Sequence, residues 1–366
     1  MTRRYGQGSV YLRNSDGRWV GAVVVLGKRR LVYGPSRQSV QSRLDDVRAL
    51  GRQGIVPADQ RLTVGAHLRQ WLEVVRDTVR PSTWTSYEGH ARLHLSTLAA
   101  VPLARLTPND VRRVIKNRLA DGCAPRTVGY TVTVLRMALG QAVRDGLLQR
   151  NVALLVDRPA ARRQELRVIA PSESQRLLAV DSPMAPFWAL LVGTGLRLGE
   201  GLGLRWSDVD LSAGTLTVRV ALRALPEWAR TERRLTLEQP KTPSSRRTLA
   251  LPAFVVRALL FQRNAQGTMP RSLDGLVFTS PKGTPLDARN VSRVFARDRE
   301  AAGLPHMRIH DLRHTAASLM LAQGSSLDDV KRVLGHSTIA VTSDTYGHLV
   351  EGRSREIADA MDRMLG

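Results

Sequence analysis

The sequence predicts a multidomain chain: a small three-stranded β-sheet plus one helix, then an all-α domain, then a mainly helical α+β domain with a small antiparallel sheet. Three observations carry this prediction. Short alternating strands separated by turn signals fill residues 1–56, and apolar residues recur at helical spacing through residues 62–157. Within residues 165–366 one strand-rich stretch interrupts otherwise helical patterning. A chain of 366 residues that is 43% hydrophobic can bury several cores.

The first domain reads as GSVYLR, a turn at Asp16-Gly17, RWVGAVVVLG, a turn at Gly27-Lys28, and RRLVYG. From Ser36 to Leu50 the pattern becomes helical, Gly51 and Gly54 close it, and Pro57 to Leu62 reads as a linker. Helices are expected over 64–79, 82–98, 107–120 and 124–145, with Ser82 and Thr107-Pro108 as N-terminal caps. A second linker, residues 157–165, is strongly basic. The third domain begins helically at Pro171, turns to strand at Thr215, and continues the same sheet through LEQPKTPSSRRTLALP. Helices dominate from Pro252 to the end, closing with a tail helix in which Ile357, Met361 and Leu365 recur every four residues. That apolar stripe suits packing on its own domain or docking on a neighbouring protomer.

Lys and Arg number 55 against 32 Asp and Glu, a net charge of +23 spread along the whole length. A field of this sign favours a polyanion, and nucleic acid is the commonest one. A GC-rich genome accounts for Arg over Lys but not for cation over anion. Candidate DNA contacts are Arg13, Arg18, Lys28 and Arg29 on the small sheet, Arg80, Arg92 and Arg126 on the helical domain, and Arg158 and Arg162 in the basic linker. Each of these also suits a merely solvated face. Cys123 is the single cysteine, which excludes an intrachain disulfide and a Cys-rich zinc site. The N-terminal MTRRYGQGSVY lacks an apolar signal core, and no run of about 18 apolar residues occurs, so a cytoplasmic, nucleoid-associated protein without a membrane partner is expected.

Chemistry concentrates in five ordered polar stretches: TGLRLGE around Arg197, QPKTPSSRR around Lys241, HDLRHT from His310 to Thr315, LGHS around His336, and SDTYGHL around Tyr346. Singly each is ordinary. Arg197 and Glu200 form a helical salt-bridge spacing, as do other pairs in these stretches. Together they match what attack on a DNA phosphodiester requires. In-line displacement places negative charge on two nonbridging oxygens, and Arg197 and Arg313 are planar cations that each clamp two oxygens. Lys241 suits protonation of the leaving 5′ oxygen if its pKa is lowered by neighbouring arginines. Tyr346 titrates far above neutral pH in its ordinary form, so His310 is required as base or hydrogen-bond partner. His336 suits donation to a remaining phosphate oxygen.

The order and contexts of these stretches resemble the tyrosine recombinase family, the phage-type integrases. TGLRLGEGLGLRWSDVDL is similar to the segment with that family's first catalytic arginine, which falls on Arg197, and PKTPSSRRTLALP is similar to its lysine hairpin, placing the general acid on Lys241. HDLRHT places the family's histidine and second arginine on His310 and Arg313, LGHS places the late histidine on His336, and the nucleophile falls on Tyr346. All six positions are matched. Residues 1–56 resemble more weakly an arm-type DNA-binding domain, residues 62–157 a core-binding domain, and residues 165–366 the catalytic domain. One departure is the long connection from Arg223 to Leu237 ahead of Lys241.

The resemblance implies a site-specific recombinase that integrates or excises a mobile element or prophage without cofactor, metal or ATP. It implies a 3′-phosphotyrosyl intermediate, a Holliday junction, and a homotetramer on two double-stranded core sites, with arm sites also bound. A directionality factor and a DNA-bending host protein are the further partners it implies. Three rivals remain at this level: a type IB topoisomerase acting on one duplex, a DNA-binding regulator that has lost the chemistry, and a metal nuclease drawn by His306, His310, His314 and His336.

Overall fold

Alternation across residues 9–34 produces an antiparallel sheet, β1 (Ser9–Arg13), β2 (Arg18–Val25) and β3 (Lys28–Gly34), in the order β1-β2-β3. Arg13 pairs with Arg18 and Val25 with Lys28 at the two hairpin ends. Helix α1 (Arg37–Arg52) covers one face, where Val40 and Leu44 pack on Val23, Val25 and Val32. A strand's side chains alternate, so the register sends Tyr11, Val24, Leu31 and Tyr33 to the opposite face, where they are exposed.

This computed structural model describes residues 8–25, 27–52, 62–160, 167–230, 234–239, 246–267, 275–336, 338–346 and 361–364. The chain divides into two units, residues 1–163 and 164–366. The first also contains α2 (Val64–Val75), α3 (Pro81–His94), α4 (Pro108–Ala120) and α5 (Pro125–Arg144). Leu68, Trp71, Leu95, Leu98, Val111, Leu135 and Leu139 form their shared core. Thr107 caps α4 as expected, in a reciprocal box with Asp110. Ser82 does not cap α3. Pro81 occupies the first turn and Arg80 is the N-cap, extended as a residue before proline must be. α2 ends at Val75, short of Val79, and the Thr78 hydroxyl donates to the Val75 carbonyl at 3.0 Å.

The second unit is built on α7 (Ala185–Thr194), which follows α6 (Pro171–Leu178) and is apolar on all sides. Phe187, Trp188, Leu190 and Leu191 lie at the centre of its core. After α8 (Leu198–Leu202) the strands among the described residues form two sheets rather than the single one predicted. β4 (Val209–Asp210), β5 (Thr215–Val218) and β8 (Arg247–Ala250) form one, while β6 (Ala221–Ala224) and β7 (Leu235–Glu238) form a separate hairpin. The cause is where β6 goes. Its backbone lies directly on α8 and its C-terminal end, so close that a Cβ on Gly199 would stand 2.8 Å from the Leu222 carbonyl oxygen and one on Gly203 2.8 Å from the Leu222 nitrogen. Glycine at both positions leaves room for the strand to lie on α8.

α9 (Ala253–Gln266) and α10 (Ala288–Ala301) complete this core. α11 (Ile309–Ala322), α12 (Leu327–Leu334) and α13 (Ile339–Tyr346) follow, with Ser326 capping α12 in a box with Asp329. A smaller cluster of Ala317, Leu321, Val330 and Leu334 surrounds the Tyr346 ring. Of the expected tail stripe, Met361 is exposed, whereas Ile357 and Leu365 lie outside the described residues.

Candidate active site

The site grows from two helix ends and one helix face. Gly195 ends α7 in the left-handed conformation, φ 65°, which turns the chain so that Arg197 begins α8. Glu200, 5% exposed, accepts from the Arg197 backbone N–H at 3.0 Å and from its Nη1 at 2.9 Å. The same carboxylate accepts from Arg247 Nη2 at 2.9 Å, while Arg247 Nε donates to the Val333 carbonyl at 2.6 Å. α11 presents His310, Arg313 and His314 at the i, i+3, i+4 spacing of one face. Arg313 is 3% exposed, and its Nη1 and Nη2 donate to the Gly195 and Leu334 carbonyls at 2.7 Å each. Arg313 thus ties the end of α7 to the end of α12.

One buried carboxylate therefore pairs with two guanidinium groups, and a third, Arg313, lies within its electrostatic reach. Burial would push the Glu200 carboxyl up, but Arg247 and Arg197 outweigh it and hold the group below the ordinary carboxylate range. Burial and the neighbouring Arg197 pull Arg313 down to about 9, so it keeps its charge at neutral pH. Two positive charges remain in excess, which is the deficit a phosphoryl transition state fills. Replacing Glu200 with alanine is expected to destabilise the unit by about 3–5 kcal/mol, because it strands buried cations. Thermal unfolding checks this, with a Tm drop of about 10 °C expected at neutral pH. Glu200 has a depressed pKa, so its contribution is present above the unfolded carboxyl value and is lost as pH falls through the folded one. The gap between wild type and variant should accordingly close in acid.

His336 follows α12, with Nδ1 2.9 Å from the buried Thr342 hydroxyl. Burial and the arginines Arg313, Arg197 and Arg247 pull it down to about 4. Desolvation, His314 and Arg313 do the same to His310, also to about 4, even though its residue surface is largely open. Both imidazoles are neutral at pH 7. The Tyr346 ring is 1% exposed, and its hydroxyl is 2.7 Å from His314 Nδ1. Burial pushes the phenol up to about 12 against the opposing pull of Arg313.

Of the six residues singled out, Arg197, His310, Arg313, His336 and Tyr346 are brought together, and Lys241 lies outside the described residues. The partner of Tyr346 is His314 rather than His310, whose ring stands edge-on to His314 at 5.1 Å. Sequence reasoning also passed over Arg247. A signal existed: in β8 it shares strand parity with the buried Leu249, so its side chain had to point inward. A hollow of about 800 Å³ bordered by Trp206, Asp208, Thr217 and Arg219 contains none of these groups. Among the described residues no group of three or more His, Cys, Asp or Glu is arranged to hold a metal ion. No helix among them is long and apolar enough to cross a membrane.

The expected DNA contacts are distributed differently. Arg13 lies over the Tyr33 ring, 5.5 Å from its centroid, and pairs with Asp16, to which the exposed Arg18 also reaches at 3.8 Å. Arg29, Arg126 and Arg158 are exposed, Arg80 is half-buried at the start of α3, and Arg92 pairs with Glu88 at 2.7 Å. The Lys28 side chain and Arg162 lie outside what is described.

The phage integrase family model matches residues 167–353. A tyrosine recombinase XerC-like protein of Caldanaerobacter subterraneus subsp. tengcongensis is 26% identical over 357 residues, covering 91% of each chain. In fold, the chain is similar to the Tn1549 transposon integrase in complex with transposon right end DNA, with a TM-score of 0.71 and 22% identity over 83% of this chain and 100% of that one. A lambda integrase tetramer bound to a Holliday junction gives a TM-score of 0.63 and 19% identity, over 94% of this chain and 96% of that one. A family match to more than half of the sequence, centred on the cluster of arginines, histidines and tyrosine just described, means that the chain belongs to the phage integrase family, the tyrosine recombinases.

Proposed function

We propose that this protein is a site-specific DNA recombinase that inserts or excises a mobile element or prophage through a 3′-phosphotyrosyl intermediate. The observation that carries the reading is a buried tyrosine hydroxyl bonded to His314 and within the field of Arg313, which itself lies beside the Arg197 and Arg247 pair that shares the Glu200 carboxylate. Tyr346 attacks the scissile phosphorus, and the phosphate–tyrosine ester retains a bond comparable in energy to the one broken. A 5′-hydroxyl from the partner duplex then reverses the step, so no nucleotide is consumed. Arg197 and Arg313 neutralise the nonbridging oxygens. Arg313 uses two of its five N–H groups on carbonyls, which leaves three for phosphate. His336 is held by Thr342 on Nδ1, and in the tautomer that accepts there, Nε2 carries a proton to donate to a phosphate oxygen. Lys241 is the proton donor to the leaving oxygen.

Residues 165–366 act as the catalytic domain, residues 62–157 as a core-site clamp and residues 1–56 as an arm-site reader. The outer face of the small sheet supports the last role. It presents Tyr11, Leu31 and Tyr33 beside Arg13 and Arg29, a combination of apolar contact and charge that suits a major groove. Four copies on two core sites, joined by a Holliday junction, complete the exchange at the nucleoid, with a directionality factor and a DNA-bending host protein setting its direction. The test is a nicked suicide duplex that carries the junction sequence flanking the element, followed by denaturing electrophoresis. A protein–DNA adduct blocked at the 3′ phosphate and formed equally in EDTA is expected. An adduct on the 5′ phosphate, or one that requires Mg²⁺, would defeat the proposal.

A further inference from the structure

Tyr346 is buried with a raised pKa, so its attack needs a proton acceptor within reach of the hydroxyl. We propose that His314 is a further catalytic residue, the general base that takes the Tyr346 proton during cleavage and returns it during rejoining; this rests on Tyr346 being the nucleophile. The contact is direct, Nδ1 to hydroxyl oxygen at 2.7 Å, with the ring centroids 5.8 Å apart. Because the phenol donates, Nδ1 carries the lone pair and Nε2 the proton. His314 lies mid-helix between Arg313 and Thr315, both buried, and this fixes its ring on the rigid part of α11. No other described side chain is hydrogen-bonded to the Tyr346 hydroxyl. The nearby carboxylate of Asp311 is taken up at the helix start, accepting from Arg308 N–H at 2.7 Å and from the Arg308 side chain at 3.3 Å.

The step balances without a co-reactant. The tyrosine O–H bond breaks, its proton passes to Nδ1 and forms an imidazolium, and the oxygen's electron pair forms the O–P bond as the bond to the 5′ oxygen breaks. That oxygen takes its proton from the general acid. On rejoining, the incoming 5′-hydroxyl gives its proton to the general acid site and bonds to phosphorus as the P–O bond to Tyr346 breaks and the imidazolium returns the proton to the phenolate oxygen. The transfer accompanies O–P bond formation, because full transfer beforehand, from a phenol of raised pKa to an imidazole of lowered pKa to give phenolate and imidazolium, is strongly uphill. The charged and titratable groups around His314 are Arg308, His310, Asp311 and Arg313 on and before its own helix, Tyr346 on α13, and His336 after α12. Burial and the arginines keep His314 neutral, the form a base requires, against the opposing pull of Asp311.

The test is the single-turnover rate of adduct formation on the nicked junction duplex, measured against pH with the full chain. Asparagine at position 314 offers an acceptor near the Nδ1 position but no basicity. His314→Asn is expected to slow the adduct at least ~100-fold. Its rate should climb about tenfold per pH unit where the wild-type rate is flat, as solvent hydroxide replaces the base. Incorporating 3-fluorotyrosine at position 346, which lowers the phenol pKa, should recover much of the loss in His314→Asn, a recovery that a folding defect would not show. Wild-type rate and pH profile in His314→Asn would overturn the assignment, as would a slow variant that fluorotyrosine fails to restore. An adduct persisting in Tyr346→Phe would instead overturn the nucleophile itself, leaving the two failures distinguishable.

Discussion

Replacing Tyr346 with phenylalanine is expected to abolish the covalent adduct and all strand exchange while leaving the fold and DNA binding in place. The ring packs among Ala317, Leu321, Val330 and Leu334, and phenylalanine fills the same volume. What is removed is one oxygen and its hydrogen bond to His314, a net loss of about 0.5–1.5 kcal/mol. A Tm within a few degrees of wild type and an unchanged mobility shift on core DNA should accompany total loss of adduct. Because the tyrosine is lodged against α11 and α12 of its own chain, cleavage in cis is the expected result, each protomer supplying Tyr346 to its own arginines. Mixing Tyr346→Phe with a variant lacking Arg313 should therefore produce no active site. Restored cleavage in that mixture would show that the tyrosine is donated between protomers.

The legibility of this site in the sequence follows the reach of each interaction. Residues that carry chemistry in their type and order, such as Arg197, Arg313 and Tyr346, stood out because a phosphodiester reaction needs those groups whatever holds them. Thr107 as the cap of α4 was equally visible, since the cap and the backbone it holds lie within one turn. What stayed hidden depends on contacts across the chain. Arg247 meets Glu200 over 47 residues and His314 meets Tyr346 over 32, and no local pattern names such partners. The division into two sheets was hidden for a related reason. The stretch from Thr215 through LEQPKTPSSRRTLALP reads as one sheet, whereas β6 lies on α8, where Gly199 and Gly203, about twenty residues earlier, leave room for it. Ser82 was misplaced by a nearer cause, the stronger constraint that Pro81 places on its own neighbour.

Replacing Arg313 with lysine should cost nearly as much chemistry as removing it, although the charge is kept. The guanidinium is a fork: two N–H groups hold the Gly195 and Leu334 carbonyls, and the others remain for phosphate. An ammonium is a point charge that cannot span both carbonyls and still present a planar edge to two oxygens. Adduct formation is expected to fall by about 10²–10³-fold. Loss of hydrogen bonds from a buried cation costs about 1.5–3 kcal/mol each, so the Tm should fall as well. There is a compensating signature. Burial, with Arg197 and Arg247 behind it and Glu200 opposing, depresses the Arg313 pKa to about 9, a cost the free protein carries until an anion arrives. The folded pKa lies below the unfolded one, so the charged form is less favoured in the folded state, and bound phosphate should reverse that bias. Core-site DNA should therefore raise the Tm of the wild type more than that of Arg313→Lys at equal saturation, with the difference shrinking at high salt. Equal stabilisation of the two, or near-wild-type cleavage by the lysine variant, would remove Arg313 from the phosphate and leave it as a tie between two helix ends.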